Sequence, residues 1–134
     1  MKPQPALLDL ADPLVVAAGY LRQRLTYRFD DLAGYRAALT APAFTTPTFA
    51  ARSEPNGPAL DRLKTAEETS TVQVGAAELA HEAPHTATTT YVDVACTTNG
   101  TYRGGGASTA ATWTLRLVQQ PVGQWRVDGV LSTS

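Results

Sequence analysis

From Thr69 to Leu131 the chain holds four stretches rich in β-branched and aromatic residues, with no helix-length segment between them. Parallel strands need a crossover of about a dozen residues or more, usually a helix, and no such crossover is present. The sheet is therefore expected to be an antiparallel meander. Its strands are placed at 69–80, 86–97, 110–120 and 124–131, the last two joined across Pro121-Val122-Gly123. Because the first third of the chain has helical spacing, the order of elements predicts an α+β fold. N-terminal helices should pack on a curved, mainly four-stranded antiparallel sheet.

The helical third is punctuated clearly at its start. Asp12-Pro13 combines an N-cap with proline at the first helical position, and Leu14, Ala18, Leu21 and Leu25 then share a face with Ala17 beside it. The first helix is expected over about 13–27. Residues 1–11, broken by Pro3 and Pro5, are expected to form a flexible lead to a single domain at 12–134. Asp30 or Asp31 caps a second helix carrying Leu32, Tyr35 and Leu39, which should stop near Thr40 because Pro42 disfavours helix at Ala41. A short third segment (42–52) carries Phe44 and Phe49 and is expected to be interrupted by Pro47. Glu54-Pro55-Asn56-Gly57-Pro58 is expected to be a loop, and Leu60–Glu68 fits either a helical turn or an extended approach to the sheet.

At 134 residues, 43% of them hydrophobic and 17% charged, the chain can bury a core without disulfides or metal. A formal net charge of −1 argues against a general polyanion surface, so no nucleic-acid partner is expected. The one cysteine, Cys96, alternates in phase with Val92 and Val94 and is expected to be a buried, inert thiol. No apolar run approaches the ~20 residues that cross a bilayer. No secretory signal pattern is visible either, as Met1-Lys2-Pro3-Gln4-Pro5 leads directly toward Asp9. Read literally this predicts a soluble cytoplasmic chain; with an anchor ahead of Met1 it predicts an extracytoplasmic, membrane-associated domain.

Residues that could carry chemistry do not assemble into a set. Gly104-Gly105-Gly106 has no following helix and no Gly-Lys-Ser/Thr, which leaves it as a hairpin loop around Tyr102 and Arg103, bracketed on the other side by Asn99-Gly100. His81, Glu82 and His85 lie in an extended, Pro-broken segment with no second cluster to complete a metal site, so neither metal nor cofactor is expected. Asp30-Asp31 is accounted for by capping. Trp113 and Trp125 are expected on neighbouring strands, where they could meet across the hairpin. Tyr20, Tyr27 and Tyr35 belong to the helices and are expected to pack against the sheet.

Two segments carry a family resemblance. Leu25-Thr26-Tyr27-Arg28-Phe29-Asp30-Asp31-Leu32 followed by Leu39-Thr40-Ala41-Pro42-Ala43-Phe44 resembles the Tyr-x-Tyr/Phe-Asp step and Leu-Thr-x-x-Phe turn of actinobacterial accessory proteins. Gly123-Gln124-Trp125-Arg126-Val127 is similar to their closing Gly-x-Trp-x-Val strand. These are the mammalian-cell-entry-associated proteins and the conjugation-channel scaffold domains, which share the nuclear-transport-factor-like, cystatin-like cone. The resemblance spans roughly residues 12–131. It implies a non-catalytic scaffold domain of a cell-envelope transport or conjugative secretion complex, in contact with protein subunits or with copies of itself. It also implies a membrane link only through an anchor that this chain lacks.

The alternative within the same superfold is a small-molecule-binding or isomerase/cyclase-like pocket protein. That chemistry needs an Asp or His base and a Tyr oxyanion donor inside the cone, for which Asp93 with Tyr91, or His85, are the candidates. Under the scaffold reading the contact candidates are Tyr102 and Arg103 at the hairpin tip. Arg22, Arg24 and Arg28, expected on the outer side of the first helix, come next.

Overall fold

The computed structural model of the chain describes residues 10–40, 44–81, 83–121 and 123–134. Five features named above lie outside that set: most of the Pro-broken lead, the Ala41-Pro42 helix stop, Ala43, the Glu82 carboxylate and the middle residue of the Pro121-Val122-Gly123 turn.

The Asp12-Pro13 signal works as expected. The Asp12 carboxylate accepts the Leu14 N–H at 2.9 Å, and α1 runs from Pro13 to Arg24. It ends three residues earlier than expected, because the chain turns into the two-residue strand β1 (Tyr27–Arg28). Arg28 therefore lies on a strand and not on the first helix. Between Val16 and Leu21 six consecutive residues of α1 are buried. A helix apolar on nearly every side belongs inside a fold, and here the sheet wraps around it.

Asp31 caps α2 (Leu32–Thr40), with its Oδ1 accepting the Gly34 N–H at 3.3 Å. Pro47 starts a helix where an interruption was expected: Thr46 caps α3 (Pro47–Ser53), and proline fills a first-turn position whose N–H has no intrahelical acceptor. The expected loop at 54–58 is likewise half helix. Asn56 accepts the Ala59 N–H at 2.8 Å and opens α4 (Gly57–Thr65).

Strands β2 (Thr69–Leu79), β3 (Thr89–Tyr102), β4 (Gly105–Gln119) and β5 (Trp125–Thr133) follow, and the sheet order is β1-β2-β3-β4-β5, antiparallel throughout. Both long central strands run past their expected bounds at their shared tip, β3 to Tyr102 and β4 from Gly105, while β3 starts at Thr89 and β4 stops at Gln119, inside the expected bounds. Asn99-Gly100 was expected to open a loop, yet these residues lie between β2 and β4 and pair on both sides. Ladder bonding on two edges outweighs their low strand propensity. The real turn is Arg103-Gly104, flanked by the Tyr102–Gly105 pair, with Gly104 at φ +92°. Gly106 is needed for space: a Cβ there would sit 2.9 Å from the Gly100 carbonyl.

Bulges curl the sheet. Gly75 and Ala76 together oppose Ala95, and two register shifts separate β4 from β5. The concave face carries Val92, Val94, Leu115, Leu117 and Val127, all at 0% exposure, with Cys96 at 4%. They close on Val16, Ala17, Tyr20 and Leu21 of α1 and on Phe44 and Phe49. Trp113 and Trp125 pack at the margin of this core and do not meet: Trp113 pairs with Thr133 and Trp125 with Gln119, at opposite ends of the β4–β5 hairpin. Leu10 is docked, its carbonyl accepting the Trp125 N–H at 2.7 Å.

Candidate partner-binding surface

Among the described residues the concave face closes on α1, Phe44 and Phe49. Its lining is the apolar set just named, and the residues an isomerase would need are elsewhere. Asp93 alternates with Val92 and Val94 and so faces the opposite side of the sheet, where its Oδ1 accepts the Thr114 hydroxyl at 2.6 Å. Tyr91 shares that outer side, in edge contact with His85 at 6.1 Å between ring centroids. The His85 ring is committed to the fold: Nε2 lies 2.8 Å from the Ala80 carbonyl, and Nδ1 is 2.8 Å from the Thr90 hydroxyl and 3.4 Å from the Tyr91 N–H. A carbonyl can only accept, so Nε2 carries the proton and Nδ1 accepts. Asp93 and Tyr91 thus face away from the cone, and both ring nitrogens of the exposed His85 are occupied by contacts of the fold. Cys96 is buried, and burial pushes its thiol pKa up while Arg22 opposes that shift.

The five contact candidates gather at the helical end of the molecule. Arg24, the last residue of α1, donates from one guanidinium nitrogen to the Tyr20 hydroxyl at 3.3 Å, and its carbonyl accepts the Tyr35 hydroxyl at 2.7 Å. That second bond fastens α2 to the end of α1. The Tyr27 and Tyr35 rings pack against each other at a tilt of 48°, with centroids 5.0 Å apart. Arg22 and Arg28 border one depression that the tyrosine pair lines, whereas Arg24 borders a second groove lined by the same pair. Arg28 is held by a two-pronged ion pair to Asp30, at 2.9 and 3.1 Å. The hydrogen bond from Arg28 lowers the pKa of Asp30, and the same bond raises that of Arg28.

Arg103 belongs to the same end. Its main-chain N–H donates to the Ala66 carbonyl at 2.7 Å, and its guanidinium pairs with Glu67 at 2.7 Å, tying the β3–β4 tip to the end of α4. Glu67 holds φ +54° there, unusual for a residue with a Cβ. Tyr102, 44% exposed, is with Leu79 and Leu131 one of the large apolar side chains left open to solvent among the described residues.

The groove beside Arg24 has a volume of about 560 Å³ and is walled by Tyr27 and Tyr35 on one side and by Ala59, Arg62 and Leu63 of α4 on the other. Burial pushes the pKa of Tyr27 up to about 12, helped by Glu68 beside it. Burial also raises those of Tyr20 and Tyr35. All three phenols are therefore neutral at physiological pH. Arg62 and α4 were not singled out in the sequence, although Ala59, Leu60 and Leu63 have the spacing of a narrow apolar stripe.

Another polar cluster also escaped the sequence reading. Arg116 donates to Asp128 at 3.0 Å, and Asp128 accepts the Thr46 hydroxyl at 2.9 Å. Thr46 in turn caps α3 through Phe49 N–H. The cluster locks α3 onto β4 and β5 and is structural.

Helices on one side of a curled antiparallel meander define the nuclear-transport-factor-like class of α+β cones. No sequence-family profile matches the chain, and no curated protein matches it. Solved structures do. The periplasmic domain of DotI matches with a TM-score of 0.67 at 11% identity, over 100% of this chain and 96% of its own. CagV, a VirB8 homologue of the type IV secretion system of Helicobacter pylori, matches at 0.61 and 9% identity, over 92% of this chain and 98% of its own. An Ntf2-like protein involved in plasmid conjugation matches at 0.60 and 11% identity over 90% of this chain. This chain spans about half of that protein, 47% of its length. At such identities the likeness establishes the fold. Among the described residues no helix is long and apolar enough to cross a membrane.

Proposed function

We propose that this chain is a non-catalytic assembly domain of a cell-envelope conjugative secretion or transport complex, working through protein–protein contacts. The observation that carries the reading is the whole-chain likeness to the periplasmic domain of DotI. A concave face of Val92, Val94, Leu115, Leu117 and Val127 that closes on α1 supports it, since a pocket enzyme of this class needs that space for substrate. Of the two groups that the sequence resembles, the conjugation-channel scaffolds are favoured, because two of the structural neighbours come from plasmid conjugation and type IV secretion. An extracytoplasmic location goes with the same reading, with the membrane reached through a segment outside these 134 residues. The contact residues are proposed to be Tyr102 and Arg103 at the hairpin tip and Arg22, Arg24 and Arg28 around the Tyr27–Tyr35 pair.

The test is mild crosslinking in cells that express the native gene, followed by membrane fractionation and mass spectrometry of the copurifying proteins. Recovery in the membrane fraction with conjugation-channel subunits is the expected result. A product found alone and away from the membrane would overturn the reading.

A further inference from the structure

α4 is a helix that the fold does not use for burial. It has nine residues and none of them is buried, although Leu60 and Leu63 both reach partly covered positions. An isolated helix of that length is marginal in water and depends on tertiary packing of its apolar side. Instead of closing on the body of the protein, α4 stands over two open grooves. One is the tyrosine-walled groove of about 560 Å³; the other, on its far flank, is about 460 Å³ and is lined by Leu32, Ala37 and Leu60 among others. Each is within the size range of specific ligand sites. Two grooves flanking one helix suit an extended chain better than a single compact molecule.

The charges in the tyrosine-walled groove select the chain. Guanidinium groups border it from α1 (Arg24) and α4 (Arg62), and among the described lining residues Glu68 brings the one carboxylate. Arg24 uses one N–H on Tyr20. Among the described residues the Arg62 guanidinium has no hydrogen-bonded or ion-paired partner. A planar guanidinium with free donors is suited to a carboxylate. The neutral phenols of Tyr27 and Tyr35 add apolar ring surface to the same groove, which favours an apolar group next to the acid.

We infer that this groove receives a segment of a partner subunit that inserts an aromatic or branched apolar side chain beside an Asp or Glu carboxylate. That the segment belongs to a subunit rests on the scaffold reading above; the acid-plus-apolar chemistry rests on the groove alone.

The experiment is an amide chemical-shift titration of the isotope-labelled protein with the end-blocked peptide Glu-Leu-Phe-Glu and, separately, with Lys-Leu-Phe-Lys. The acidic peptide should shift amides of α4 and around Tyr27 saturably, and the basic peptide should not. Arg62→Gln should weaken the acidic peptide about tenfold or more, the loss expected for one charge-assisted contact. Leu63→Asp should abolish the shifts while the rest of the spectrum stays folded. Equal binding of both peptides, or no saturable shift, overturns the inference. The in-cell crosslinking repeated with Arg62→Glu separates the two readings. Subunits recovered at the wild-type level by that variant overturn the groove and leave the scaffold standing. Charge-selective peptide binding without any recovered subunit overturns the scaffold and leaves the acid-binding groove.

Discussion

α1 and α4 begin alike and end in opposite environments. Each has a side-chain N-cap, Asp12 or Asn56, and a proline in its first turn. Yet α1 buries six consecutive residues and α4 buries none. The difference lies between the caps: Leu14 to Leu21 contains no charged residue, whereas Asp61, Arg62 and Lys64 crowd α4. Start signals decide that a helix forms; the intervening side chains decide whether it becomes the centre of a core or a rim. Stability should therefore concentrate at α1 and the concave sheet; on the scaffold reading proposed above, partner recognition falls to the end bounded by α4, β1 and the β3–β4 tip.

The comparison breaks first under truncation. Leu21 is fully buried, so Leu21→Ala should cost about 2–5 kcal/mol in urea unfolding. Leu63→Ala, on a partly open surface, should cost less than ~1 kcal/mol. Similar values for the two would mean that α4 packs as tightly as α1, and the division would collapse.

Glycine gives a second contrast, of opposite sign. A Cβ at Gly19 would lie 2.7 Å from the Phe44 ring, inside the core that α1 shares with the Phe44–Thr46 segment. Replacing glycine by alanine within a helix normally stabilises by about 0.5–1 kcal/mol. At Gly19 overpacking of about 1–3 kcal/mol should outweigh that gain. At Gly57 in α4 nothing lies within 4 Å, so alanine should be neutral or slightly stabilising. Thermal melts of both variants measure the signs, and a stabilised Gly19→Ala would show that the Phe44 ring yields readily.

The core half of this division was legible in the sequence; of the rim half only Arg22, Arg24, Arg28, Arg103 and Tyr102 were named, and α4 with its groove was not. Period-two alternation put Val92, Val94 and Cys96 on one face, although Asp93 was still a candidate for the cone interior, and Asp12-Pro13 marked the start of α1 without help from the rest of the chain. The failures have a common cause, which is that one local signal serves two structures. Asn56-Gly57-Pro58 makes a turn or an N-terminal helical turn, and Asn99-Gly100 makes a hairpin or, between two partners, the middle of a ladder. Pro47 breaks a helix from within and begins one from its first turn. The groove is harder still, because residues 24–35 meet residues 55–68 only after folding, and no short motif encodes that meeting. The Thr46–Asp128 bond joins positions 82 apart in the sequence.

pH tests the rim directly. The folded pKa of Tyr27 is raised from 10.0 to about 12. The unfolded chain therefore loses this proton first, and the contribution to stability that is intact below pH ~10 is lost as pH rises toward ~12. Stability should fall across that window, and Tyr27→Phe should flatten part of the decline. Tyr20 and Tyr35, raised in the same direction, should account for more of it. Tyrosinate absorbance followed alongside unfolding checks the assignment. A slope unchanged in Tyr27→Phe would mean that its phenol is more hydrated than the groove geometry implies.

The smallest stability effect is expected at the tip, where it is also the most informative. The Arg103–Glu67 ion pair joins side chains that are 70% and 46% exposed, so solvent screening leaves it little net worth. The main-chain bond from Arg103 to Ala66 survives any side-chain truncation. Arg103→Ala should therefore change unfolding free energy by no more than ~0.5 kcal/mol, and Tyr102→Ala should be similarly mild. If the tip is a contact surface, both variants should nonetheless reduce crosslinking to partner subunits. A large stability loss in Arg103→Ala would instead make the Glu67 pair the clamp that keeps α4 in place, so that α4 would depend on its end contacts where α1 depends on its faces.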